Sequence, residues 1–134
     1  MNGVTPYLTI GDGRASEAVD FYKRAFDAEE LGRHQAEDGK RLMHAHLKIN
    51  GADLMLSDDF PEYHGGGETA APSAVTLHLA VDDADQAWSR AVGAGAEVAM
   101  PLADQFWGDR YGQLRDPFGH TWSIGAPSRE PDQG

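Results

Sequence analysis

Phe106–Ile124, FWGDRYGQLRDPFGHTWSI, is the stretch whose reading decides the fold. Asp116-Pro117-Phe118-Gly119 has the composition of a tight turn, with Pro setting φ at the second position and Gly relieving the last. Strands should therefore flank it. Before the turn Tyr111, Gln113 and Arg115 alternate with Gly112 and Leu114; after it Thr121 and Ser123 alternate with Trp122 and Ile124. One face of this hairpin is apolar. The other carries phenol, amide, guanidinium and hydroxyl groups, a set that suits the wall of a ligand cavity better than a packed core.

Working outward from the hairpin, a β-α-β-β-β pattern emerges and then repeats. Val75–Val81 alternates as a strand. Asp83 and Gln86 resemble a capping box, and Ala84, Ala87, Trp88, Ala91 and Val92 recur at helical spacing until Gly95 can stop them. A short strand at Glu97–Ala99 and an irregular stretch at Pro101–Gly108 lead into the closing hairpin. The first half has the same order: a strand at Val4–Ile10, a helix on Ala15, Ala18, Val19, Tyr22, Ala25 and Phe26, and three strands at Glu30–Gln35, Leu42–Ile49 and Ala52–Ser57. Asp38-Gly39 and Asn50-Gly51 supply the hairpin turns between those strands. Superposing the halves pairs Thr5 with Thr76, Leu8 with Leu79, Ile10 with Val81, Ala15 with Ala84 and Ala18 with Ala87. The pattern predicts an α+β chain of two β-α-β-β-β modules, 1–58 and 74–125. A Gly- and Pro-rich linker at 59–73 and a polar tail at 126–134 complete the division.

The 134 residues contain no cysteine, which removes disulfides, thiolate nucleophiles and thiolate metal ligands together. A formal net charge of -11 repels nucleic acid and anionic membranes, so neither is an expected partner. No apolar run is long enough to span a bilayer, and the opening MNGVTPYL lacks the features of a signal peptide; a cytoplasmic protein is the expectation. There is no Ser-His-Asp order, phosphate loop or dinucleotide fingerprint. Gly65-Gly66-Gly67 lacks the Lys and helix that a phosphate loop needs.

The repeat, the linker and the closing hairpin together resemble the vicinal oxygen chelate superfamily, the glyoxalase/bleomycin resistance/dioxygenase proteins. The segments that carry the resemblance are IGDGRASEAVDFYKRAF, TLHLAVDDADQAW and FWGDRYGQLRDPFGHTWSI, and the linker and FWGDRYG point to its PhnB-like branch. The resemblance implies paired modules forming a cup-shaped mixed sheet, usually within a homodimer. It also implies one His, Gln or Glu metal ligand on the first and fourth strand of each module. Carried over residue by residue, those positions are Thr5, Met55, Thr76 and Ser123. A thioether and three hydroxyls supply neither charge nor basicity to a divalent ion, so no metal and no cofactor are expected.

Strand alternation turns Tyr7, His44, His46, Asp53, His78, Tyr111, Gln113 and Arg115 toward the cup, and Trp107 lies at its mouth. These nine are the expected ligand-binding residues. No catalytic residue is assigned. Two readings of His44, His46, His78 and Asp53 stay open: hydrogen bonding to a ligand, which is preferred, or a relocated metal or acid-base site. Arg115 could clamp a carboxylate or phosphate, or pair with Asp53 or Asp116. Trp107 could stack on a flat ligand, or sit in a dimer contact or the core, and Asp109 and Arg110 could pair with each other. The functional expectation is a small-molecule-binding protein, of the drug-sequestering kind. The alternative is a lyase, isomerase or dioxygenase with a relocated histidine site.

Overall fold

The computed structural model describes residues 3–128. It divides after Ala71 into two compact units. The first contains β1 (Tyr7–Ile10), α1 (Ala15–Phe26), β2 (Glu29–Gln35), β3 (Leu42–Ile49) and β4 (Ala52–Asp58). The second contains β5 (Thr76–Ala80), α2 (Ala84–Ala94), β6 (Glu97–Asp104), β7 (Asp109–Arg115) and β8 (Thr121–Pro127). The sheet orders are β1-β4-β3-β2 and β5-β8-β7-β6. β1 runs parallel to β4 and β5 parallel to β8, while the remaining pairs are antiparallel. The two units therefore share one topology, an α+β architecture of two four-stranded mixed sheets each with one helix, as the residue pattern predicted.

Alternation fixes which sheet face is buried. In the first unit Leu8, Ile10, Leu47, Leu54 and Leu56 lie inside with Ala18, Val19, Phe21, Tyr22, Ala25 and Phe26 of α1. In the second, Leu114, Trp122, Ile124 and Ala126 are buried with Ala84 and Ala91 of α2. Gly112 belongs to that packed face: a Cβ there would lie 2.6 Å from the Trp88 ring and 2.8 Å from the Leu102 backbone. The indole takes the space a side chain would fill.

The two helices begin differently. At α2 the Asp83 side chain accepts from the Gln86 amide at 3.1 Å, a local N-cap. At α1 Arg14 provides no cap, and the role passes to Asp58 at the far end of β4. One Asp58 oxygen accepts from the Ala15 amide at 2.8 Å, and the other from the Leu42 amide at 2.7 Å. This carboxylate is 2% exposed, so it ties the helix start to the start of β3 from inside the core.

Several boundaries differ from the predicted ones. β1 begins at Tyr7 rather than Val4, because Pro6 has no N–H for a ladder and contributes only its carbonyl, to Met55 N at 3.0 Å. β6 continues to Asp104 through Pro101. It is an edge strand, and its pairing with β7 slips between Val98 and Met100 and again between Met100 and Ala103. β8 continues to Pro127, with Ala126 opposite Arg110 and Ser128 N donating to Gly108 O, so 126–128 extend the sheet; residues 129–134 of the predicted tail lie outside those described.

The Gly-rich segment after β4 is built onto the first unit. It contains a 3-10 turn at Pro61–Tyr63, and Arg41 bonds Glu62 at 2.7 Å while its guanidinium lies 4.3 Å from the Phe60 ring centre. Asp59 accepts from Thr69 and bonds His64 at 2.9 Å. Thr69 and then His64 hold the Asp59 carboxyl below its usual range, and Asp59 raises the His64 imidazole above 6.5. The charged pair therefore exists between those two midpoints. It is lost as pH falls through the lowered Asp59 value and as pH rises through the raised His64 value. A proton NMR titration of the His64 ring should give a midpoint above 6.5 that moves back toward it in Asp59→Asn. An unchanged midpoint in that variant would contradict the pairing.

Candidate functional site

The sheet faces turned away from the helices carry the polar side chains. In the first unit Tyr7 and His44 hydrogen-bond at 2.9 Å between Oη and Nδ1, with ring centres 5.7 Å apart. His34 adds a third ring 6.1 Å from His44. The residue pattern places its strand but not its face; the pairing of β2 with β3 sets it directly opposite His44. Farther along β3, His46 Nε2 meets Asp53 Oδ1 at 2.9 Å, and Lys48 approaches the same oxygen at 3.7 Å. The His46 bond, with help from Lys48, holds the Asp53 carboxyl below its usual range.

In the second unit His78 Nδ1 and Ser123 Oγ are 2.7 Å apart, and the His78 ring stacks on Tyr111 at 5.9 Å. Gln113 Nε2 donates to the Tyr111 hydroxyl at 3.0 Å. Trp107 meets the Tyr111 ring edge-on at 5.8 Å, is half exposed, and donates its indole N–H to Asp109 at 3.2 Å. The stack depends on Gly125, where a Cβ would lie 2.9 Å from His78 Cε1 and 3.6 Å from Tyr111. Gly125 is not among the nine expected residues, although alternation continued one step past Ile124 places it on the polar face.

Register shows that these arrangements are equivalents. Tyr7 sits beside Met55 and His46 opposite Met55, just as His78 sits beside Ser123 and Gln113 opposite Ser123. His44 therefore corresponds to Tyr111 and Tyr7 to His78. Each unit holds one tyrosine and one histidine at the same two positions, exchanged between strands. The third correspondence differs in charge: Lys48 lies opposite Asp53, whereas Arg115 lies opposite Thr121.

Several open alternatives resolve. Asp53 is occupied by His46 and Lys48. Asp116 is occupied by the Phe118 and His120 amides and the Trp122 indole. Within the second unit Arg115 forms no ion pair among the described residues. Asp109 and Arg110 do not pair with each other, since Arg110 reaches Asp85 and Asp104. Within the first unit the structure joins Tyr7 to His44 and His46 to Asp53, and among the described residues no three His, Cys, Asp or Glu side chains converge as a metal-binding group.

The family's metal positions do not fit an ion. Ser123 is 1% exposed and its hydroxyl is engaged by His78, Met55 offers a thioether, and Thr5 and Thr76 offer neutral hydroxyls.

Residues 5–124 match the Glyoxalase/Bleomycin resistance protein/Dioxygenase superfamily, and the chain belongs to that family. An uncharacterized protein of Mycobacterium tuberculosis, Rv0887c, is 51% identical over 131 residues, covering 95% of this chain and 75% of that one. The crystal structure of TioX from Micromonospora sp. ML1 is similar with a TM-score of 0.71 and 28% identity, covering 95% of this chain and 97% of that one. A PhnB protein from Bacillus cereus shares the fold with a TM-score of 0.73 at 22% identity, over 93% of this chain and 99% of that one. No helix among the described residues is long and apolar enough to cross a membrane.

Proposed function

We propose that this protein binds a small molecule on its polar sheet faces, without the metal its superfamily commonly uses, and acts by sequestering that molecule. The observation that carries the reading is Ser123: a buried hydroxyl bonded to His78 stands at a metal-ligand position, so the position serves to orient a ring. Tyr7, His44, His46, Asp53, His78, Trp107, Tyr111, Gln113 and Arg115 are the proposed binding residues. Half-buried rings with a few fixed polar groups match what small-molecule sites present.

A second reading is favoured by one contact. The 2.9 Å bond between His46 and Asp53 is a histidine–carboxylate pair of the kind that moves protons, which suits a lyase, isomerase or dioxygenase with a relocated site. Calorimetric titration with Zn, Ni, Mn and Fe(II) separates the two. The binding reading expects no stoichiometric uptake, whereas uptake abolished by His46→Ala would establish the relocated site. Uptake abolished by Ser123→Ala would restore the family position and overturn the metal-free reading.

The proposed setting is a cytoplasmic homodimer. Its support is the exposed Phe106, Tyr63 and Trp107, since large apolar side chains this open to water commonly meet a partner. Sedimentation at micromolar protein should show a species of twice 14.5 kDa; a monomer alone would remove the dimer.

A further inference from the structure

We infer that the second unit's face is an anion-selective site, and that its ligand is a planar molecule carrying a carboxylate or comparable acceptor group. The inference rests on the binding function proposed above and adds the ligand's charge and shape. It is not the charge that the chain as a whole suggests, because a net charge of -11 would draw in cations.

Arg115 supplies the charge of this face. In the first unit the corresponding cation, Lys48, has Asp53 opposite and 3.7 Å away, so that charge is answered within the sheet. In the second unit the place of Asp53 is taken by Thr121, a neutral residue. Arg115 is exposed and lies on the same face as Gln113 and Tyr111, two and four residues back along one strand. Glu97 is its cross-strand neighbour on β6, yet no ion pair forms between them among the described residues. The guanidinium fork remains available for a planar, bidentate acceptor.

Ser123 is 1% exposed, and the His78 ring is the hydrogen-bond partner of its hydroxyl. That contact occupies Nδ1 and leaves Nε2 as the ring's remaining polar atom, a donor in the tautomer in which Ser123 donates to Nδ1. The Tyr111 hydroxyl accepts from Gln113, which leaves its own O–H to donate outward. His78, Tyr111 and Arg115 thus all offer donors, along a strand span of about 13 Å from residue 111 to 115. A ligand that satisfies them must bring acceptors.

His78 stacks on Tyr111 with ring planes 26° apart, and the half-exposed Trp107 stands edge-on to Tyr111. These rings hold one another in place, so they offer flat apolar surface at low ordering cost.

The test uses two probes that share a naphthalene ring and carry opposite charges, the acceptor 2-naphthoate and the donor 2-naphthylmethylammonium, titrated at pH 7 and about 0.15 M salt so that the global field is screened. Backbone amide shifts locate binding and give its affinity. Naphthoate should bind roughly tenfold more tightly than the ammonium, with shifts on β5, β7 and β8. Arg115→Gln should erase that preference, Glu97→Gln should enlarge it, and Trp107→Ala should weaken both probes; all three positions are exposed or half exposed, so the variants should fold. Equal or tighter binding of the ammonium, or naphthoate binding unchanged in Arg115→Gln, would overturn the anion assignment while leaving the binding function standing. Shifts confined to β1, β3 and β4 would overturn the anion site and leave the binding function standing, whereas no shift on either unit would remove both.

Discussion

Replacing Asp58 with Asn should destabilise the protein by about 3 kcal/mol, measured by urea denaturation at neutral pH. Both carboxylate oxygens accept backbone N–H groups, from Ala15 and Leu42, in a site 2% exposed. An asparagine amide keeps one acceptor but turns an NH2 toward the other N–H, so one buried donor loses its partner and meets another donor. Asp58→Ala would orphan both. The neighbouring Asp59→Asn supplies the comparison: it bonds the exposed His64 and the part-buried Thr69 rather than backbone amides in the core, and its cost should be clearly smaller. If the two substitutions cost the same, Asp58 does not link α1 to β3 as described.

Gly112→Ala should cost a similar amount, about 2–3 kcal/mol, although it adds only a methyl group. That methyl would lie 2.6 Å from the Trp88 ring and 2.8 Å from the Leu102 Cα, and the backbone contact cannot be relieved by a rotamer change. Gly125→Ala gives an instructive contrast. Its nearest neighbour is the His78 ring at 2.9 Å, the movable end of a side chain. That substitution should therefore cost less stability but displace His78 from Tyr111, weakening naphthoate binding. Differential scanning calorimetry of the two variants, with binding measured on Gly125→Ala, tests both. Equal melting temperatures for Gly112→Ala and the parent would mean that Trp88 does not occupy the space above Gly112.

The positions of Asp58 and Asp116 show where residue patterns stop being informative. Asp58 and Asp59 are adjacent aspartates at the end of β4, where the polar, Gly-rich run begins. Alternation at the end of β4 sends one of them inward, yet nothing local names its partners, because Ala15 and Leu42 are distant in sequence. Asp116 was legible as a turn residue from Asp-Pro-Phe-Gly, and it does accept the Phe118 and His120 amides. Its bond to the Trp122 indole at 2.9 Å crosses the turn and appears only when both strands are in place.

The sequence by itself determined the fold class, the duplicated β-α-β-β-β order, the apolar and polar faces of the strands, and the superfamily. These follow from periodicities of 2.0 and 3.6 residues and from turn chemistry, which act over a few neighbours and survive in a linear reading. It also placed Tyr7, His44, His46, Asp53, His78, Tyr111, Gln113 and Arg115 on polar faces. Only the tertiary structure decided which of them touch. Register sets Asp53 diagonal to His46, within hydrogen-bond reach, and turns His78 onto Tyr111 over Gly125, while Arg115 is left opposite a threonine. Such pairings depend on the lateral alignment of strands separated by tens of residues, where a shift of one position would exchange every partner and reverse every face.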